Sequence, residues 1–287
     1  MVIVKTSYMN KIIAAFDGLK FSTPNMEMAI QVAKSTNAHL TGIFLDDRTY
    51  TSYRIYELVL EDGVSESKLK QYRSRDTQNR LHAAALFEEH CQAAQLEFNV
   101  HHDKNVALQE LLHESIFSDL LIVNRNESFT HHEEKYPTRF IRDLLSDTQC
   151  PVLLTPENTI PIEKIIFLYD GDPASVYAIK MFNHLFPQYQ SYPAELFTVK
   201  RPDSNVHLPD HKLVKEFMKR HYTHLDYTVK IGDASEEIVN HLQAETQHCC
   251  VVLGAYRRTM MSRWFRSSMA DALIQHFDFP LFIAHNK

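Results

Sequence analysis

The sequence contains little glycine, cysteine or tryptophan: 6, 4 and 1 residues in a chain of 287. Scarce glycine argues against several glycine-rich loops, because glycine is the residue that lets a backbone approach a ligand closely. The four cysteines, Cys91, Cys150, Cys249 and Cys250, have no metal-binding spacing and no disulfide pattern. We therefore expect buried thiols and a reducing compartment.

Long apolar runs and a strong net charge are also missing. No run approaches the ~18 apolar residues of a transmembrane helix, and residues 1–18 lack the apolar core and cleavage site of a signal peptide. The formal net charge is -6, which provides no general attraction to nucleic acid or to an anionic membrane. These features predict a cytoplasmic protein that binds no nucleic acid and does not insert into a membrane.

Motifs for metal binding and for covalent catalysis are absent as well. The sequence has no HExxH, CxxC or GxSxG pattern. Its 17 histidines are scattered, and the adjacent pairs at 101–102 and 131–132 would point their side chains in opposite directions on a strand. We expect no metal site, and we expect the protein not to be an enzyme.

What the sequence does contain is a repeat of its own pattern. Residues 11–18 read KIIAAFDG and residues 164–171 read KIIFLYDG, each a lysine, a short apolar run and Asp-Gly. Such runs are typical of strands buried on both faces of a parallel sheet. Asp17 and Asp170 therefore mark the ends of equivalent strands, about half of the chain apart.

Both halves continue with the same order of predicted helices and strands. A helix follows each Asp-Gly, and we expect Thr23 and Asp172 to cap these two helices ahead of a proline. Asp233 and Glu236 have the spacing of a capping box in a later helix. Each half closes with a proline-led strand, PVLLTP or PLFIAHN. The order β-α-β-α-β-α-β-α-β in each half predicts an α/β fold with a mostly parallel sheet.

The repeat divides the chain into two tandem domains. The first is predicted to span residues 1–156 and the second residues 164–287, with the proline-containing segment 157–163 as the linker. The first half is longer, mostly because of extra residues around its second helix, which begin with a stretch that includes YRIYELVLEDG at 53–63. That segment could form a lid over a pocket or a dimer contact, and its hydrophobic periodicity does not distinguish these two interpretations.

This constellation resembles the universal stress protein family, in its tandem two-domain form. The most specific part is IGDASEEIVNHLQAETQHCCVVLGAYRR at 231–258, which is similar to the family pattern of Gly-Asp/Asn, a helix, an apolar strand and Gly-x-x-Gly. The early strand that ends in aspartate is a second signature and occurs twice. The resemblance implies two doubly wound, Rossmann-like domains of the adenine nucleotide alpha hydrolase-like type. Each would have a five-stranded parallel sheet with helices on both faces, and ATP-binding members hold the nucleotide at the carboxyl ends of the strands.

In the second half the resemblance implies a nucleotide site with an altered phosphate loop. The family's loop reads Gly-x-x-Gly, about nine residues and Gly-Ser/Thr, and its glycines let backbone N–H groups close on phosphates. Gly254 retains the first glycine, whereas an arginine and a serine replace the other two. The candidate nucleotide-binding residues are Asp170, Gly171, Gly254, Arg257, Arg258, Ser267 and Ser268. ATP is the candidate cofactor.

Several of these residues have a second interpretation. Arg257 and Arg258 could clamp a phosphate, or they belong to a solvated loop or a protein contact. Ser268 stands three residues before Asp271, which is the form of a helix cap. Asp170 equally suits a cap of the turn that follows its strand.

The first half retains less of the family's site. Asp17 is in place, but Asn124 stands at the first glycine and no glycine follows it in the loop. Glu127 and two further glutamates add negative charge where phosphates would lie, and Thr138 stands at or beside the terminal hydroxyl. We expect Asp17, Asn124 and Thr138 to form no working ATP site.

The resemblance implies a regulatory or binding protein of the stress response, with degenerate ATP-binding loops. Three hypotheses stay open: an ATP-binding module that uses the second domain, a scaffold for proteins or small ligands such as lipids, and a slow ATPase. The resemblance also implies that the two halves pack around a pseudo-twofold axis. A homodimer is expected through the final strand.

Overall fold

The computed structural model describes residues 10–45, 66–103, 106–130, 134–202, 207–254 and 267–284. The chain divides into two compact units, Met1–Cys150 and Pro151–Lys287. No helix in these ranges is long and apolar enough to span a bilayer.

In the part of the first unit that the structure describes, four parallel strands lie in the order β3-β2-β1-β4. The central strand β1 is buried throughout its apolar run, as Ile12 and Ile13 are both 0% exposed. In chain order the elements are β1 Lys11–Asp17, α1 Thr23–Thr36, β2 His39–Leu45, α2 Glu66–Ala93, β3 Phe98–Asp103, α3 Ala107–Ser115, β4 Leu120–Asn124 and α4 Arg139–Asp147.

The described residues of the second unit form six strands in the order β5-β10-β9-β6-β7-β8. All of its neighbouring strands are parallel except β5 and β10. The elements are β5 Val152–Thr155, β6 Lys164–Leu168, α5 Pro173–Leu185, a 3-10 turn Pro187–Ser191, β7 Ala194–Lys200, α6 His211–Met218, β8 Leu225–Ile231, α7 Ala234–Ala244, β9 Cys249–Gly254, α8 Ser267–His276 and β10 Leu281–Ala284. The predicted doubly wound α/β class, with a mostly parallel sheet, is confirmed.

Strand β5 differs from the expectation that each half forms its own five-stranded parallel sheet. It pairs antiparallel with β10 in the second unit, where Leu153 lies opposite Phe282. An unpaired sheet edge exposes a row of N–H and C=O groups, and β5 satisfies those of β10. The domain limits predicted from the sequence, 1–156 and 164–287, are not tested by this pairing.

The final strand therefore has no free edge, because β9 pairs with one side of β10 and β5 with the other. The homodimer expected through this strand stays a prediction. If it forms, it needs another surface.

Helix caps agree with the sequence at one of the three predicted positions and differ in detail at the other two. Ser22, and not Thr23, caps α1: Ser22 is extended, and its hydroxyl accepts the N–H of Asn25 at 3.3 Å. Asp172 is the residue before α5, but its carboxylate makes no capping hydrogen bond. Asp233 caps α7 as predicted, by accepting N–H groups from Ser235 and Glu236 at 2.9 and 3.1 Å.

Candidate functional site

The candidate site in the second unit is built around Asp170, at the carboxyl end of β6. Its side chain is buried, with 9% of the residue exposed. Oδ1 accepts the N–H of Asp172 at 2.9 Å, which stabilises the turn into α5. Oδ2 is also buried and has no hydrogen-bond partner within the described ranges. Asp170 therefore caps the turn with one oxygen and leaves the other able to accept a donor.

The surroundings of Asp170 favour the protonated form of its carboxyl group more than water does. Burial raises the pKa of its carboxyl, and the charge of Asp172 adds to this effect. The N–H of Asp172 and the nearby hydroxyl of Ser175 lower this pKa without cancelling the effect of burial. The Ser175 hydroxyl itself donates to the carbonyl oxygen of Asp172 at 2.8 Å and leaves Oδ2 without a partner among the described residues. A carboxylate in such surroundings gains from a hydrogen-bond donor on a ligand, because an unmade bond to a buried polar atom is costly.

Gly171 is required by the backbone, whether or not a ligand binds. Its φ is +87°, in the left-handed region, where an L side chain is strained. A Cβ at this position would also lie 2.7 Å from Cβ of Pro209. The conformation of the turn is therefore sufficient to explain this glycine.

Gly254, the last residue of β9, packs against the first turn of α5. A Cβ here would lie 2.4 Å from both the carbonyl carbon and oxygen of Ala174, and 2.7 Å from the N of Ser175. The glycine lets strand and helix approach each other closely. This contact supplies a reason for Gly254 that needs no phosphate, and its predicted binding role remains a prediction.

The rest of the predicted phosphate loop is described only at its end. Arg257 and Arg258 lie outside the described residues. Ser267 and Ser268 are the first residues of α8, but only their backbone is described. The choice between a phosphate contact and a helix cap at these serines therefore stays open. The predicted lid or dimer segment 53–63 also lies outside the described ranges.

The equivalent position in the first unit is arranged differently. Asp17 is 2% exposed, and its Oδ1 accepts the N–H of Leu19 at 2.8 Å. Asn124, which corresponds to Gly254, donates from Nδ2 to the Ser22 hydroxyl at 3.1 Å and accepts the N–H of Asn126 at 2.9 Å. Where the second unit has backbone contact between strand and helix, the first has a side-chain hydrogen bond to the cap of α1.

Glu127 is buried, which the sequence analysis did not predict. It is 6% exposed, and its Oε1 accepts the N–H of Ser128 at 3.1 Å. Burial, followed by the charge of Asp17, raises the pKa of Glu127 to about 8. Burial also raises the pKa of Asp17. The two carboxyl groups are therefore electrostatic neighbours that resist being ionised together.

Thr138 has a structural role beside this pair. Its hydroxyl donates to the backbone carbonyl oxygen of Glu127 and accepts the N–H of Ile141 at 3.2 Å, which caps α4. The hydroxyl thus fixes the loop that carries Glu127 to the start of the helix. The polar sequence around Glu127, NRNES, contains no periodic signal that could have predicted its burial.

Metal ligands are not grouped in the described part of the chain. No cluster of three or more histidine, cysteine, aspartate or glutamate side chains is placed to hold an ion there. The histidines at 131–132 lie outside the described residues, so the prediction for that pair stays untested.

Comparison with known proteins places this geometry in a recognised fold. No protein-family model matches the chain, and no curated protein matches it. A universal stress protein from Archaeoglobus fulgidus DSM 4304 superposes with a TM-score of 0.69 over 97% of this chain and 99% of its own, at 11% identity. The chain has the fold of a universal stress protein.

Two further structures support the tandem form of this fold. A protein of unknown function from Pseudomonas aeruginosa PAO1 gives a TM-score of 0.55 at 15% identity, over 96% of this chain and 92% of its own. A candidate universal stress protein from Pseudomonas aeruginosa UCBPP-PA14 gives 0.52 at 13% identity, with the same coverage of 96% and 92%. In this universal stress fold, Asp17 and Asp170 lie at the carboxyl ends of strands, where open α/β sheets place their ligands.

Proposed function

We propose that the protein is a cytoplasmic, non-enzymatic regulatory protein of the universal stress type, whose first unit does not bind nucleotide. The last part of this proposal, the absence of nucleotide binding by the first unit, is carried by the burial of Glu127 beside Asp17, at the carboxyl ends of β1 and β4. The fold shared with the Archaeoglobus fulgidus protein supports the general class. Its partners would be a small ligand or another protein.

The acidic pair opposes a nucleotide in the first unit for an electrostatic reason. A triphosphate would bring several negative charges towards Asp17 and Glu127, in surroundings that already resist ionising both. The positive charges of Lys20 and Arg80 lower the pKa of Asp17, and that of Lys20 also lowers the pKa of Glu127, but burial outweighs them and both pKa values stay raised. This electrostatic repulsion supports the proposal that the first unit does not bind ATP.

A second candidate function is ATP binding by the second unit, favoured by the unsatisfied Oδ2 of Asp170. Asp170 would accept a hydrogen bond from a hydroxyl or amino group of the nucleotide. Arg257 and Arg258 would pair with phosphate oxygens, since guanidinium groups bind them bidentately. The start of α8 would add the favourable end of a helix dipole.

The test is calorimetric titration of the full chain with ATP, together with native mass spectrometry of the purified protein. Asp170→Asn and Asp17→Asn form a matched pair of variants at equivalent positions. ATP binding that is weakened by Asp170→Asn and unchanged by Asp17→Asn would support the second unit as the site. Absence of binding would leave the scaffold function, and ATP binding that requires Asp17 would overturn the proposal for the first unit.

A further inference from the structure

An open cavity of about 580 Å³ lies between α5 and α6 in the second unit. Small-molecule sites usually have volumes of roughly 300–1,000 Å³. Asp170 does not line this cavity, although its neighbours Tyr169 and Gly171 do. The cavity therefore borders the candidate nucleotide site and shares Gly171 with it, but it does not include the carboxyl group of Asp170.

The floor of the cavity is apolar and buried. Tyr169 is 1% exposed, Ile179 is 0% exposed and Val214 is 5% exposed. The hydroxyl of Tyr169 donates to the carbonyl oxygen of Pro209 at 3.1 Å, which fixes the orientation of the ring. A preformed surface of this kind costs little to order when a ligand binds.

The α6 side of the cavity adds apolar surface that is open to solvent. Leu213 lines the cavity and is 68% exposed, the largest exposed fraction among the large apolar residues that the structure describes. Phe217, one turn further along α6, also lines it. Contiguous exposed apolar surface of this kind often marks a binding site.

Two charged side chains of opposite sign lie in the lining, Lys180 on α5 and Asp210 before α6. Neither makes an ion pair or a side-chain hydrogen bond with any other described residue. Asp210 precedes the first turn of α6, where the free N–H groups of the helix partly balance its charge. Lys180 lies in the middle of α5 with no acidic residue three or four positions away, so its charge has no such balance.

We propose that this cavity binds a small molecule with an apolar body and one acidic group, and that Lys180 pairs with the acid. The body packs on Tyr169, Ile179 and Val214, and the acidic group lies at the Lys180 side, away from the carboxylate of Asp210. The pairing of an apolar, aromatic-lined cavity with a few polar groups is typical of sites that select amphipathic ligands.

Calorimetry of the full chain with three matched probes tests the choice of charge. Dodecanoate, dodecanol and dodecylammonium share one chain length and differ in the head group. The two ions are used below their micelle concentrations and dodecanol below its solubility limit. We expect dodecanoate to bind most tightly and dodecylammonium most weakly. Equal affinities, no binding, or a preference for the amine would overturn the proposal.

Substitution of the lysine tests its role directly. Lys180→Gln should weaken dodecanoate binding about two- to five-fold, the range expected for a solvent-exposed charge pair, and leave dodecanol binding unchanged. Lys219→Gln, at an exposed lysine that does not line the cavity, is the control and should change neither. A loss in Lys219→Gln equal to that in Lys180→Gln would contradict a specific pairing.

Filling the cavity tests the location. Val176→Trp, at a half-buried position in the lining, should abolish binding of dodecanoate and dodecanol. Leu213→Glu is a second variant at an exposed position, where the fold has little to lose, and it should weaken dodecanoate more than ten-fold. Dodecanoate binding that persists at full strength in Leu213→Glu would place the site elsewhere and overturn the proposal.

Discussion

The Nζ atom of Lys164 lies 2.8 Å from Oε2 of Glu195, in a largely buried ion pair of the second unit with side chains 15% and 5% exposed. Lys164 also contacts Oε2 of Glu245 at 2.6 Å, and the hydroxyl of Thr228 donates to Glu195 Oε1 at 2.5 Å. Burial alone would raise the pKa of Glu195, but contacts with His241, Lys164 and Thr228 lower it to about 2. Nε2 of His241 lies 3.2 Å from Oε1 of Glu195 without hydrogen-bond geometry. Glu195 therefore stays ionised inside the protein.

Removing the lysine should strongly destabilise the second unit. Lys164→Met leaves Glu195 and Glu245 without their shared cation, and breaking a buried pair typically costs about 3 kcal/mol or more. We expect a loss of that size in the free energy of unfolding, measured by urea denaturation with circular dichroism.

Lys11 provides the matched control, since it begins the equivalent strand of the first unit. It pairs with Glu114 at 3.0 Å, but these side chains are 30% and 20% exposed. Lys11→Met should therefore cost only about 1 kcal/mol, as solvent screens the pair. Equal losses in the two variants would mean that burial of the Lys164 cluster does not determine its contribution.

The sequence identifies both lysines, because each begins a repeated apolar strand. It does not identify the glutamates that pair with them. Local periodicity predicts which residues form strands and helices, and that was enough for the fold class. It carries no information about which side chains meet across a sheet. Glu195 lies at the start of β7 and Glu245 follows α7, so their approach to Lys164 depends on the tertiary fold.

The same limit explains what the sequence predicted at the candidate sites. The aspartates at the carboxyl ends of β1 and β6 follow from strand position, and both were identified. The pairing of β5 with β10 could not be predicted from the sequence, since PVLLTP has the pattern of a strand whichever unit it pairs with. The cavity beside Lys180 depends on the spacing between two helices, which sequence periodicity does not determine.

Glu127 should make the stability of the protein depend on pH. Its folded pKa, about 8, is above its ordinary value of 4.5, so the folded state keeps a proton that the unfolded state has lost between these values. Stability is therefore greatest below the ordinary pKa and falls as the pH rises towards 8. Glu127→Gln keeps a neutral side chain, and we expect it to be more stable than the wild type by about 3 kcal/mol near pH 7.

The measurement is the difference in unfolding free energy between Glu127→Gln and wild type at pH 4.5, 6 and 8. The difference should be small at pH 4.5 and should increase with pH. Glu89→Gln, at an exposed position of α2, serves as the control for the change of charge. A difference for Glu127→Gln that is constant with pH would contradict a buried, protonated glutamate.

The four thiols should be unreactive in the folded protein. All four cysteines are buried, and burial raises the pKa of Cys91, Cys150 and Cys249 to about 12. Because the thiolate is the reactive form, we expect no reaction with dithiobis(nitrobenzoate) at pH 8, and release of four equivalents after unfolding in urea. Rapid labelling of the native protein would show that at least one thiol is accessible.

Gly254 allows the packing and phosphate-binding interpretations to be separated without any ligand. If close contact between β9 and α5 requires the glycine, Gly254→Ala should destabilise the ligand-free protein, since its Cβ would meet backbone atoms of Ala174 at 2.4 Å. Overpacking of a rigid contact costs about 1–3 kcal/mol. Gly18→Ala is the comparison, because its closest contacts are side-chain atoms of Arg80, Cγ at 2.8 Å and Cβ at 3.2 Å, and we expect a smaller loss there than against backbone atoms at 2.4 Å. A Gly254→Ala variant of wild-type stability that loses ATP binding would instead assign the glycine to the phosphates.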